Sequence, residues 1–309
     1  MAQLPESITH MLGNRHDLMD FRGAFKSLKP DVVLDMAPIT EKDAKLVVET
    51  FRGIACRVVA ISSQDVYRAY GILIGIEEGK VEKMPLSEDA NLRTKLYPYR
   101  GDKLRADDDP RKLLDDYEKI LVEKVYMSDA ELPGTILRLP MVYGPGDYQH
   151  RLFEYLKRMD DERPVIVLEE AYAKWQWTRG YVENVADAIV LAIENDAAMK
   201  RIYNVGKQEV LSTYEWIRII ARNAGWDGEI IVLPREELPK ELLSDMKSEQ
   251  HLVSDTSRIR NELGYEEAIP DDKGMKRTIA WERENPPAQI STEQFNYEAE
   301  DRVLEELGL

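Results

Sequence analysis

Apolar positions first close up at residues 31–37, "DVVLDMA", a β-branched run with Lys29-Pro30 before it and Pro38 after it. The pattern predicts an interior strand of a parallel sheet. "TEKDAKLVVETFRG" then changes to helical spacing, with Thr40 as N-cap and an end near Gly53, and "CRVVAISS" (56–63) predicts a second strand. A helix over about 110–128, a strand "GTILRL" (134–139) and a loop "PMVYGPGD" complete a strand–helix–strand rhythm. Between Tyr67 and Pro110 the chain has little periodicity and much charge, and segments of that length are functional or disordered. From about 148 the elements alternate less regularly. Helices are predicted in "YQHRLFEYLKRM", "VENVADAIVLAIEN" and from Thr213, and strands in "RPVIVL" and "RIYNVG". Terminal helices follow around 255–263, 271–284 and 292–307. The last is amphipathic and acidic, and packs on the body or on a second subunit, so a homodimer is open.

Composition narrows the partners. The 309 residues carry a formal net charge of −16, which repels phosphate backbones and anionic lipid surfaces. Nucleic acid and membrane are therefore not expected, and an RNA-handling role is disfavoured. The lone cysteine, Cys56, allows no intrachain disulfide, and His10, His16, His150 and His251 show no ligand spacing, so no metal site is expected. No apolar run is long enough to span a bilayer and the first twenty residues lack signal-peptide regions, so the expected compartment is the cytoplasm.

Six stretches, in order, resemble the NAD-dependent epimerase/dehydratase family of extended and atypical short-chain dehydrogenase/reductases. "VVLDMAP" is similar to the family strand that abuts the cofactor, "VVAISSQDVY" to its Ser-Ser-x-x-Val-Tyr strand, and "LRLPMVYGPGD" to its Arg-x-x-x-Val-Tyr-Gly-Pro-Gly turn. "RGYVENVADAI", "YNVG" and "DTSRIRNELGY" resemble later blocks. The resemblance implies an α/β fold with a doubly wound, Rossmann-like parallel sheet and a smaller α+β C-terminal substrate lobe. The cofactor domain is expected over 1–147, with returning segments near 178–206, and the substrate lobe over 148–309. It also implies NAD or NADP as cofactor and a nucleotide-linked sugar as the small-molecule substrate.

Two departures from that family stand out. No G-x-x-G-x-x-G occurs in residues 1–30, so the strand–turn–helix that would hold a pyrophosphate on backbone N–H groups is missing. The chain is expected to join the sheet near "ITHMLGNRHD", as a late start or a truncation, with the fold N-terminally incomplete. The second departure is in "LLDDYEKILVEKVYM". The family places a Tyr and a Lys four apart on one helix face, the Lys holding the nicotinamide ribose and lowering the Tyr pKa. Here Tyr117 and Lys119 are two apart. With Lys119 in the Lys slot, the Tyr slot falls on Asp115, and on a continuous helix Tyr117 faces about 200° away. Asp115, Lys119 and Glu123 then share a face, either as a solvated ion-pair ladder or as a cofactor-facing row in which Asp115 moves the proton.

By the same resemblance Ser63 is the catalytic Ser, and Asn14, Ala37, Pro38, Ser62, Lys119 and Pro140 are cofactor contacts. Tyr143 and Arg179 are substrate contacts; Tyr99 is a further expected substrate contact on its position in the long loop "KLYPYRG", from which it or Tyr97 could reach in where the family's proton carrier is missing. Each has a plainer alternative. Ser63 could satisfy backbone, Asn14 could make an Asx turn before Asp17, and Tyr97 or Tyr99 could pack or close as a lid. Arg179 lies two residues after the family's diphosphate-binding Arg, where this chain has Trp177, and a shift of two keeps the strand face. Trp175 and Trp177 either stack on a base or sugar or belong to the core. The expected function is a nucleotide-sugar epimerase, dehydratase or reductase. A catalytically impaired dinucleotide-binding sensor or scaffold is the alternative.

Overall fold

The first apolar run forms β1 (Val32–Asp35), reached from a short helix, α1 (Arg22–Leu28), that ends at Lys29 in a left-handed cap. The computed structural model describes residues 7–291 and 294–308. Thr40 opens α2 (Glu41–Phe51) with a reciprocal capping box: Asp43 N–H donates to its hydroxyl and Thr40 N–H to the Asp43 carboxylate. β2 (Arg57–Ser63), α3 (Arg68–Leu73), α4 (Lys119–Ser128) and β3 (Gly134–Leu139) follow, then β4 (Met141–Tyr143), α5 (Phe153–Asp160), β5 (Val165–Glu169) and α6 (Glu170–Lys174). The chain continues through β6 (Arg179–Tyr181), α7 (Val182–Glu194), β7 (Ile202–Asn204), α8 (Thr213–Ala224) and β8 (Glu229–Leu233). It ends with α9 (Ser257–Leu263), α10 (Asp271–Glu284) and α11 (Tyr297–Leu307).

The main sheet runs β1-β2-β3-β7, every pair parallel. Alternation along β2 and β3 sends Val58, Ala60 and Ile136 toward α2 and α4, where they meet Val47, Phe51 and Val122. Val59, Ile61 and Leu137 face the other way, onto Val185, Ile189 and Ile259 of α7 and α9. A sheet covered on both faces reads as unbroken apolar runs. This is the doubly wound, Rossmann-like α/β fold that the sequence implied.

A second core lies in the C-terminal lobe, where Leu152, Leu156, Ile166, Trp216, Ile220 and Met275 interlock. β5 pairs with β8, a strand the apolar pattern did not reveal. The stretch read as the loop "PMVYGPGD" begins with β4, which pairs in parallel with β6 and carries the chain out of the main sheet. Gly144 then turns with φ of +143, and a Cβ there would meet Val182. α11 packs on the body: Arg158 grips Glu300, and Val303 joins Leu233 and Leu238. No helix among the described residues is long and apolar enough to cross a membrane.

Two expectations fail. Residues 8–14 form no strand. Asn14 instead caps a 3-10 turn, Arg15–Phe21, and among the described residues β1 has only β2 as a ladder partner. The helix expected over 110–128 is also broken: a 3-10 turn, Lys112–Asp115, is separated from α4 by Asp116-Tyr117-Glu118. The cause is Glu118, whose fully buried carboxylate accepts from Arg93, from Tyr97 N–H and from Ile120 N–H. It caps α4 and pins the long 67–110 segment at the same time. A side chain serving the first N–H groups of a helix lies at its start, outside its interior.

Candidate functional site

β2 ends at Ser63, which caps the next turn by accepting the Asp65 N–H at 3.2 Å. Neighbouring strand residues point to opposite faces. Ser63 opens on a cavity of about 480 Å³, lined also by Gln64, Asp65, Tyr99, Tyr117 and Pro140. Ser62 turns away, donating to Glu123 at 2.6 Å, and Glu123 pairs with Arg138 through two further bonds. The expected cofactor contact at Ser62 is therefore spent inside the body, and the expected Lys119–Glu123 row is split between two buried networks.

The break before α4 reverses the expectation for Tyr117. Its hydroxyl donates to Asp65 Oδ2 at 2.6 Å, and that of Tyr99 to the same oxygen at 3.2 Å. Tyr70 and Tyr99 share a bond of 3.0 Å. Asp65 is 4% exposed, and Oδ1 has no partner. Burial pushes its carboxyl above the ordinary range, against the pull of Tyr117 and the charges of Arg93 and Lys119. The Tyr117 phenol is held well above its ordinary value by burial and by Asp65, with Ser63 acting the other way. Gln64, 2% exposed, has neither amide atom bonded. None of Gln64, Asp65 and Tyr70 was singled out from the sequence. The available signal was the position of Gln64 and Asp65 directly after Ser63.

Lys119 begins α4 beside this cluster, its Nζ 5.7 Å from the Tyr117 ring centroid. It donates to Pro38 O at 2.8 Å and Ile61 O at 3.0 Å, which leaves one of three N–H groups unspent. Burial lowers its pKa to about 8, with Asp65, Asp35 and Glu123 opposing. Asp115 is elsewhere. Burial raises its pKa, but hydrogen bonds from the Arg105 backbone and guanidinium and the charge of Lys112 more than offset this, so it lies below the ordinary value. It does not line the cavity, and the row Asp115–Lys119–Glu123 does not exist. Tyr97 is held by Glu118 under the Arg100 guanidinium, while Tyr99 reaches the cavity.

Met141, Gln149, Arg151 and Trp177 are shared with a neighbouring hollow of about 300 Å³, which reaches Arg179, Tyr155 and Trp216. Arg179 is 8% exposed and donates only to the Trp177 and Leu211 carbonyls, with Nε unpartnered. No carboxylate pairs with it among the described residues. Its guanidinium lies 4.7 Å from the Trp216 ring, and burial lowers its pKa to about 10, so it stays charged at neutral pH. Trp177 Nε1 is likewise buried and unpartnered, whereas Trp175 donates to Gln250 O. Tyr143 packs edge-on to Trp216, 4.8 Å between centroids, and reaches only a small hollow beside Arg179.

The residues present fit one end of a nicotinamide dinucleotide. The free N–H of Lys119, the exposed Ala37, the buried Pro38 and the half-buried Ser63 and Pro140 cluster at the C-terminal ends of β1, β2 and β3, where such sheets bind ligands. The pyrophosphate end has no counterpart among the described residues. Beside β1, Arg15 forks onto Asp35 at 2.8 and 2.7 Å, and Tyr126 also donates to Asp35. Asn14 is exposed, and its Oδ1 accepts the His16 N–H, as the Asx-turn alternative required. No cluster of three or more metal-ligating side chains occurs among the described residues.

Comparison with known proteins places this geometry in context. The profile of the NAD dependent epimerase/dehydratase family matches residues 9–206. A UDP-glucuronate 4-epimerase of Thermodesulfobacterium geofontis is 23% identical over 203 residues, which are 65% of this chain and 55% of that protein. The chain thus spans little more than half the length of this curated relative. Among solved structures, an epimerase from Methanothermobacter thermautotrophicus superposes with a TM-score of 0.63 at 20% identity, covering 92% of this chain and 80% of that one. A UDP-glucose 4-epimerase from Thermotoga maritima, solved with UDP-glucose, gives 0.62 at 17% identity over 88% and 83%. With the family profile spanning 9–206, the chain belongs to the NAD-dependent epimerase/dehydratase family.

Proposed function

We propose that this chain acts on a nucleotide-linked sugar by transient oxidation and reduction at a hydroxyl-bearing carbon, as an epimerase or dehydratase, with NAD or NADP as cofactor. The observation that carries the reading is that Ser63 and Tyr117 line one cavity, with the Lys119 ammonium 5.7 Å from the Tyr117 ring, and that this cavity shares residues with the hollow holding Arg179. When bound, the dinucleotide supplies the hydride acceptor and donor. Ser63 donates a hydrogen bond to the reacting oxygen, and Tyr117 stands beside it to pass the proton. Lys119 holds the ribose with its remaining N–H. Arg179 meets a diphosphate with a guanidinium edge, and Trp177 offers a ring face to the sugar or base. The proposed compartment is the cytoplasm.

A sensor that binds without converting is favoured by one observation: the described residues offer no backbone nest for a pyrophosphate. Calorimetric titration of the chain with NAD and NADP in both redox states, followed by UDP-glucose and UDP-glucuronate turnover, separates the two. Micromolar dinucleotide binding with conversion is expected. Binding without conversion of any nucleotide sugar supports the sensor, and no binding at all refutes both.

A further inference from the structure

Resting on that reading, we propose that Asp65 is the proton acceptor of the reaction, reached through the Tyr117 hydroxyl, so that a carboxylate–phenol relay replaces a tyrosine activated by a neighbouring lysine. Lys119 Nζ directs two of its three donors at the Pro38 and Ile61 carbonyls, and none at the Tyr117 oxygen. The Tyr117 hydroxyl is aimed at Asp65 Oδ2, 2.6 Å away. A phenol hydrogen-bonded to a carboxylate resists becoming phenolate, because the two negative charges would face each other in a buried site. Tyr117 is therefore poor as a terminal base and well placed as a conduit.

Asp65 has the features of the terminus. It lines the cavity with Ser63, is almost fully buried, and takes no salt bridge from any of the described residues. The guanidinium that faces it, Arg93, is spent on the Asp65 carbonyl, the Lys95 carbonyl and the Glu118 carboxylate. The other ionisable groups around it are Lys119, Tyr117, Tyr99 and Tyr70. Oδ1 is unpartnered, so the buried carboxylate charge is only partly compensated and taking up a proton is favoured. Burial, which pushes the carboxyl up, brings its proton affinity toward the working pH, where acid–base catalysis is most effective.

In the oxidising direction the carbinol O–H bond breaks and its proton forms a new O–H bond on Tyr117. The Tyr117 proton meanwhile crosses to Asp65 Oδ2. The carbinol C–H electron pair leaves as hydride to the oxidised nicotinamide dinucleotide, and a carbonyl remains. Reduction runs the same bonds backwards and returns Asp65 to its carboxylate form. Asp65 thus ends each cycle as it began, as reversible epimerisation requires.

The test begins without substrate. Infrared difference titration of the full chain should show a protonated-carboxyl band that is lost in Asp65→Asn and has a midpoint above the ordinary aspartate value of about 4. In Tyr117→Phe the midpoint should rise further, because the phenol's hydrogen bond favours the carboxylate. Nucleotide-sugar turnover should lose activity on the acid side of the same midpoint. Asp65→Asn should lower kcat by roughly a hundredfold to ten-thousandfold, abolish that acid limb and leave KM nearly unchanged. A midpoint at or below the ordinary value overturns the relay whether or not the protein turns anything over. So does an acid limb that survives in Asp65→Asn. A raised midpoint in a wild type that converts no nucleotide sugar sinks the enzyme reading and the relay with it, whereas dinucleotide binding alone tests only the proposed function.

Discussion

Ser62 and Glu123 are joined by a hydrogen bond of 2.6 Å between β2 and α4, and the same Glu123 carboxylate receives Arg138 of β3 through two guanidinium nitrogens. Both ions are almost wholly excluded from solvent. Removing one partner of such a pair strands the other, which costs roughly 3–5 kcal/mol. Glu123→Ala is expected to lose about that much in urea denaturation followed by circular dichroism. A loss below about 1 kcal/mol would mean that water reaches Arg138.

Lys119 sets a pH dependence of stability. Its pKa falls from 10.5 to about 8 on folding, chiefly through burial. Between those values the unfolded chain holds the proton that the folded chain has released, so stability rises with pH across that window. Below it both states are protonated, and the folded state bears the full cost of the buried charge. The gain from pH 8 to about 9.5 is roughly 1.5 kcal/mol. Denaturation midpoints of wild type and Lys119→Met, compared at the two pH values, should diverge accordingly, and parallel pH trends would contradict it.

Arg179 is a buried guanidinium with no carboxylate counterpart in the described residues, and should therefore contribute strongly to binding any anion placed beside it. A charge-assisted hydrogen bond contributes roughly 1.5–3 kcal/mol, so Arg179→Gln should weaken UDP binding about tenfold to a hundredfold. Arg179→Lys should not restore it, since a lysine lacks the planar fork. Equal UDP affinity in all three proteins, measured by calorimetry, would place the diphosphate elsewhere.

Asp115 should behave as a structural residue. Its depressed pKa supplies stability above the unfolded value of about 4 that is lost as pH falls through the folded value. Asp115→Asn should therefore remove part of the acid sensitivity of folding while leaving the pH profile of turnover unchanged. A displaced kinetic limb in this variant would bring Asp115 back as a proton carrier.

The sheet was legible because β2 and β3 are buried on both faces and are written as apolar runs, and because Thr40 offers an N-cap to the helix between β1 and β2. β4 and β8 were not read as strands. β4 is only three residues long, and β8, although it holds the apolar run 230–233, is short and half-exposed. Of the residues in or beside the cavity, Ser63, Lys119 and Pro140 could be singled out from their motifs and Tyr99 from its place in the long loop. Tyr117 could not, because its direction depends on Glu118 being drawn out of the helix by Arg93, twenty-five residues away in the sequence. Helical spacing describes residues on one helix, and Tyr117 precedes the first turn of α4. Asp65 was overlooked because a carboxylate directly after a strand reads as a turn former until the tyrosines that converge on it are known.

β1 has a ladder partner on one side only among the described residues, and Leu34 within it and Met36 just beyond it are exposed. Amides on that flank have no interstrand carbonyl to hold them, so deuterium should enter β1 well before it reaches β2 and β3. The sheet would then loosen from one border, and the Lys119 anchor on Pro38, which lies just past β1, would be the first contact behind the cavity to feel it.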